Sequence, residues 1–184
     1  MQNLVFAVLS VAYPFVVFFS LGVIEPRYIA IVLLILCGTR YLATSRNDSD
    51  ALLSPYVPWA FLLLTTFALV VVAGNSGVAL LYYPVLVNFV MFVLFGASLR
   101  FPPTVIERIA RLQDPELPPS GVAYTRKVTI AWVVFFLLNG SIALGTALLG
   151  DVAVWSLYNG LVAYLLMGML FVGELTIRRR VRGA

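Results

Sequence analysis

Apolar residues run through this chain in long blocks, not at the alternating spacing of a half-buried strand or the 3.6-residue spacing of a one-sided helix. Six blocks approach the roughly 20 residues that a helix needs to cross about 30 Å of hydrocarbon. They are residues 4–24, 28–45, 57–74, 78–99, 128–150 and 152–173. The breaks between them carry turn chemistry: Glu25-Pro26, the polar stretch 45–58, Gly74-Asn75-Ser76-Gly77, the long segment 100–127, and Gly150-Asp151. Arg40 interrupts the second block near its end, where a long side chain reaches the headgroups. No basic segment precedes the first block and no clear small-residue cleavage site follows it, so it reads as an uncleaved helix and not a signal peptide. The pattern predicts an all-α polytopic transmembrane helix bundle of six spans, forming one domain over residues 1–184.

Composition removes the soluble alternative. Of 184 residues, 62% are apolar and 11% charged, against roughly 25% charged in soluble domains. Too few polar side chains exist to cover a water-facing surface, so lipid must be the solvent. Six spans place Arg40, Arg46, Arg100, Arg108, Arg111, Arg126, Lys127, Arg178, Arg179, Arg180 and Arg182 on one side and leave Arg27 alone on the other. Basic loops stay cytoplasmic. The expected location is therefore a bacterial inner membrane, with both termini in the cytoplasm. The small basic excess, twelve against eight acidic residues, predicts anionic lipid headgroups and not nucleic acid as the partner.

The first and fourth spans each begin a Phe/Val-rich run with Tyr-Pro, at Tyr13-Pro14 and Tyr83-Pro84. This suggests two inverted three-helix repeats, as in many transporters; chance recurrence of Tyr-Pro in apolar helices is the plainer alternative.

Histidine is absent and Cys37 is the single cysteine. An internal disulfide, a thiolate metal site and histidine-based catalysis are thereby excluded, and no metal, cofactor or catalytic residue is predicted. Gly74-Asn75-Ser76-Gly77 matches the Gly-x-Ser-Gly pattern of rhomboid proteases, but a serine without a histidine has no base to activate it. The tetrapeptide reads as a turn. Glu25, Asp151 and Glu174 fall at or near span ends, and the lack of an ionisable midplane group argues against a proton-driven antiporter. Near the midplane lie Tyr13, Asn88 and Asn139, each about 14–16 Å from a span edge at 1.5 Å per residue. Such groups need partners inside the protein. They predict hydrogen bonds between helices, or else the wall of a polar ligand cavity. Ser141-x-x-x-Gly145 and Ala143-x-x-x-Ala147 are spacings that allow close helix approach.

The segment 100–127 is the most informative polar stretch. Thr104-Val-Ile-Glu107 fits a capping box, in which Thr104 caps and Glu107 reaches back. Glu107 and Arg111 form a favourable i,i+4 pair. A short helix lying at the membrane surface is expected, closed by Asp114-Pro-Glu-Leu-Pro-Pro119. Arg108, Arg111, Tyr124, Arg126 and Lys127 are the candidate residues for binding a phosphate-bearing lipid or a soluble partner. The C-terminal Ile-Arg-Arg-Arg-Val-Arg reads as a topological anchor.

The run Pro102-Pro-Thr-Val-Ile-Glu-Arg-Ile-Ala-Arg-Leu-Gln113, then Pro115-Glu-Leu-Pro-Pro119, Tyr124-Thr-Arg-Lys-Val-Thr129, Trp132 and Phe135-Phe-Leu-Leu-Asn-Gly140 resembles a family of small uncharacterised bacterial membrane proteins. With Tyr83-Pro84, Asn88, Tyr158-Asn-Gly160 and Gly173-Glu174, the likeness covers nearly the whole chain. Members are encoded beside acyl carrier proteins, ketosynthases and acyltransferases of aryl-polyene-type clusters, and some carry a ketosynthase label. That activity needs a cysteine with two histidines, or with histidine and asparagine, which this chain lacks. A looser likeness, over the second half, links Tyr83-Pro84 and Trp132-Val-Val-Phe-Phe-Leu-Leu-Asn139 to the intracellular septation protein A family. The first resemblance implies a non-enzymatic inner-membrane component of envelope-lipid or acyl-lipid assembly. Such a component moves a lipid intermediate or holds acyl carrier protein or acyl-processing enzymes at the membrane, and a homo-oligomer is compatible with either role. Two alternatives stand beside it. One is an intramembrane lipid-modifying enzyme using Glu107, Arg108, Arg111 and Tyr124. The other is a structural protein of septation or envelope integrity.

Overall fold

The computed structural model describes residues 57–112 and 114–182, together with Glu25, Tyr28, Ile31, Val32, Ile35 and Gly38. The predicted span 4–24 and Tyr13 lie outside the described residues, and with them the comparison of two halves. The span at 28–45 is described only at Tyr28, Ile31, Val32, Ile35 and Gly38, all of them helical.

Among the described residues the fold is all-helical, without strands. Helix α1 is Val57–Gly74, α2 Gly77–Leu80, α3 Tyr83–Arg100, α4 Val105–Arg111, α5 Pro119–Leu149, α6 Val152–Leu157 and α7 Ala163–Arg182. A five-residue π-helical turn, Tyr158–Val162, joins α6 to α7. Three stretches are long and apolar enough to cross a membrane: Gly77–Arg100, Pro119–Leu149 and Val152–Thr176. Their outward residues, among them Phe89, Val93, Val134, Leu138, Leu149, Met169 and Val172, are exposed apolar side chains, as lipid-facing surfaces require.

Turn chemistry sets the boundaries. Asn75 takes a left-handed φ of 43° between α1 and α2, a conformation that asparagine tolerates better than most residues. Gly150, at φ 70°, ends α5, and Asp151 immediately caps α6 by accepting from the N–H groups of Ala153 (2.9 Å) and Val154 (3.1 Å). Two residues therefore reverse the chain between two long helical stretches.

Two boundaries differ from the sequence expectation. Helix α5 starts at Pro119, nine residues ahead of the predicted span at 128, because Pro118 is extended and Pro119 supplies a helical φ where no N–H partner is needed. Tyr124, Arg126 and Lys127 thus sit on a helix and not in a loop. The fourth predicted span is interrupted at Leu81-Tyr82, where Pro84 enters at the start of α3.

Helices α3 and α5 share the most extensive interhelical packing among the described residues, with one apolar cluster near the C-terminal end of α5 and another at its middle. One cluster gathers Ala68, Leu80, Leu81, Ala147 and the wholly buried Trp155, whose indole N–H donates to the Leu81 carbonyl at 2.8 Å. The other gathers Leu94, Phe95, Val105 and Phe136, flanked by Trp132 and Phe135. Phe95 meets Phe136 edge-on at 5.2 Å between ring centroids, a geometry favoured by the ring quadrupoles.

Candidate functional site

Between the two apolar clusters runs a chain of polar side chains. The Tyr158 hydroxyl donates to Asn139 Oδ1 at 2.9 Å, Asn139 Nδ2 donates to Asn88 Oδ1 at 3.0 Å, and Asn88 Nδ2 donates to the Pro84 carbonyl at 2.8 Å. Asn88 and Asn139 are 7% and 5% exposed, so this chain links α3, α5 and the π turn inside the bundle. Gly140 makes the approach possible: a Cβ there would lie 3.0 Å from Asn88 Cβ. Two of the three predicted midplane residues are therefore brought into direct contact, and Tyr13 lies outside the described residues.

Sequence reasoning missed the neighbouring members. Asn159 Nδ2 donates to Thr146 Oγ1 (3.1 Å) and to the Trp155 carbonyl (2.9 Å), while its buried Oδ1 has no hydrogen-bond partner. Tyr158 and Asn159 had signalled only through a family likeness, because adjacent polar residues in an apolar run do not reveal which helix they face. On α5, Ala143 and Ala147 are buried whereas Ser141 and Gly145 are exposed, so one small-residue spacing faces the packed interior and the other faces outward.

The connection between α3 and α5 is a second polar assembly. Thr104 caps α4 by accepting from the Glu107 N–H at 3.3 Å. Glu107 is buried, and instead of reaching back to Thr104 its Oε1 receives Arg111 Nε (3.0 Å) and Nη2 (2.8 Å). A charged donor one turn ahead outcompetes the uncharged N–H of the capping box. Arg111 also donates to the Pro115 carbonyl at 3.2 Å, and Arg108 Nε donates to the Pro103 carbonyl at 3.0 Å. Buried Ser98 ties α4 to the end of α3, donating to the Phe95 carbonyl and accepting from the Val105 N–H.

The remaining predicted binding residues lie on α5. The Tyr124 hydroxyl donates to the Glu174 carbonyl at 3.2 Å, fastening α5 to α7. Arg126 Nη1 donates to the Leu99 carbonyl at 3.1 Å, and Lys127 is exposed. The five candidates are therefore not one pocket. Arg111, Arg108 and Tyr124 are bound into the protein, Arg126 reaches the end of α3, and Lys127 is exposed on α5. No group of three or more metal-ligating side chains occurs among the described residues.

A multi-helix membrane fold with a buried amide–phenol chain is what the fold and site define. No family model, curated protein or solved structure matches the chain.

Proposed function

We propose that this chain is a non-enzymatic inner-membrane component of envelope-lipid or acyl-lipid assembly. In this reading it crosses the bilayer six times with both termini cytoplasmic and is built as two inverted three-helix repeats. The resemblance to membrane proteins encoded with aryl-polyene-type enzymes supports the pathway, and the one-sided arginines support the topology.

One observation carries the choice of a supporting role over a catalytic one. Arg111 and Glu107, the residues a lipid-phosphate enzyme would employ, are spent on each other and on the Pro115 carbonyl. Freeing them would open a charge-assisted pair and leave the buried Glu107 carboxylate without its donor, at a cost of about 1–3 kcal/mol. The stretch from Ser98 to Leu112, tied down at Pro115 by Arg111, thus works as a platform between α3 and α5, suited to holding a lipid intermediate or an acyl-processing enzyme at the membrane.

Deleting the gene and profiling the cell's lipids tests the assignment. Loss or accumulation of an acyl-lipid species is expected, and an unchanged lipid profile would contradict it. Arg108→Ala in an otherwise intact chain separates support from catalysis: a support retains at least a large fraction of the product, an enzyme using Arg108 loses nearly all of it at normal expression.

A further inference from the structure

We propose that the π turn Tyr158–Val162 holds a buried binding site for one neutral hydroxyl group, which donates to Asn159 Oδ1. The hydroxyl belongs to water or to a lipid alcohol. The site goes beyond the lipid-assembly reading above and stands without it.

The orientation of the Asn159 amide is forced by its neighbours. Its side chain faces the Trp155 carbonyl at 2.9 Å and Thr146 Oγ1 at 3.1 Å. A carbonyl only accepts, and the one hydroxyl hydrogen of Thr146 goes to the Ala143 carbonyl at 2.9 Å. Both neighbours therefore need a donor, and only the amide nitrogen supplies two hydrogens. Turning the amide over would set its oxygen against two groups with no hydrogen to give. Oδ1 is thereby committed to a third direction, where it is buried without a partner on a residue 3% exposed. An acceptor left in that condition keeps the full cost of its lost hydration, and buried amide oxygens are accordingly paired almost throughout proteins. Asn88 and Asn139 show the contrast, since each of their oxygens receives a donor from within the chain.

The backbone points the same way. The Ala163 N–H bonds to the Tyr158 carbonyl, so the helical ladder is widened at this turn. Such π turns are rare, appear as single turns within α-helices and recur at functional sites. This one turns Asn159 into the bundle between Trp155 and Ala163, both buried. Depth brings a donor within reach: Thr146, which Asn159 bonds, lies about 4.5 Å from the end of α5 at Leu149.

Charge and size set the class of donor. Residues 128–150 and 152–173 contain no charged side chain, so an ammonium group or a metal ion would enter without a counter-charge. The closed surroundings of Oδ1 admit a terminal hydroxyl and not a phosphate-bearing headgroup. Water and lipid alcohols are the neutral O–H donors that a bilayer provides.

Solid-state NMR of the full chain in bilayers tests the site, using isotope-labelled asparagine and carbonyl-labelled tyrosine. Tyr158-Asn159 is the chain's one Tyr-Asn pair, so Asn159 is assigned without a substitution. In hydrated dioleoylphosphatidylcholine, which has no hydroxyl of its own, magnetisation from water should reach the Asn159 side chain and fail to reach those of Asn88 and Asn139. Adding dioleoylglycerol separates the two sources. An unchanged transfer from water identifies water as the occupant. A shift of the Asn159 Cγ resonance, with loss of any transfer from water, identifies the lipid alcohol. Equal transfer to all three asparagines would show general wetting and overturn the site. Absence of transfer from water, together with no shift on adding dioleoylglycerol, would overturn it as well.

Discussion

An amide in hydrocarbon must find partners within the protein, and Asn88 and Asn139 meet that demand on each other, with Tyr158 completing the second amide. The first pair was legible in the sequence because depth alone placed both residues at midplane. Tyr158 was not, since a phenol about 10 Å from a helix end reads as readily as an interfacial anchor. Trp155 carries the same ambiguity: a tryptophan near a span end suggests the aromatic belt, yet this one is wholly buried and bonded to Leu81. A double-mutant cycle between Asn88→Ala and Asn139→Ala should give a coupling of about 0.6 kcal/mol, with about 1.7 as the upper range, read from unfolding in mixed micelles. A coupling of zero would mean the two amides act separately. Gly140→Ala should destabilise by about 1–3 kcal/mol, since its methyl group meets Asn88 Cβ at 3.0 Å. Replacing the cap, Thr104→Ala, should lower stability by about 1 kcal/mol and leave the Asn88–Asn139 coupling untouched.

At the scale of elements, long apolar blocks bounded by Gly-Asn-Ser-Gly and Gly-Asp were visible because twenty-odd apolar residues have few other uses. What escaped was anything that leaves hydropathy unchanged. The interruption at Leu81-Tyr82 and the π turn at Tyr158–Val162 sit inside apolar sequence, and the first turns of α5 are polar but no less helical. The π turn shifts the buried face, which passes from Trp155 and Ser156 to Asn159 and Gly160 and then to Ala163. Its extra residue turns Tyr158 and Asn159 together toward α5, at Asn139 and Thr146. Trp155→Phe should leave the Leu81 carbonyl without its donor where α2 meets α6, costing about 1–3 kcal/mol. Hydrogen exchange should then quicken in α2 and α6 before α4. Uniform quickening along the chain would show that no such local tie exists.

For the molecule as a whole, the surface decides the reading. Exposed leucine, valine, phenylalanine and methionine cover the outside of the long helices, while the polar groups turn inward or gather at the connection between α3 and α5. A water-soluble protein inverts that distribution. The central claim is that Pro119–Leu149 crosses a bilayer, which puts Ser120 and Ala153, near the two ends of this long helix, on opposite faces. Single cysteines at Ser120→Cys and Ala153→Cys, each in a Cys37→Ser background, can be probed with a membrane-impermeant maleimide in intact and then in permeabilised cells. Ala153→Cys should label in intact cells and Ser120→Cys only after permeabilisation. Labelling of both positions from the same side would contradict a membrane-crossing α5.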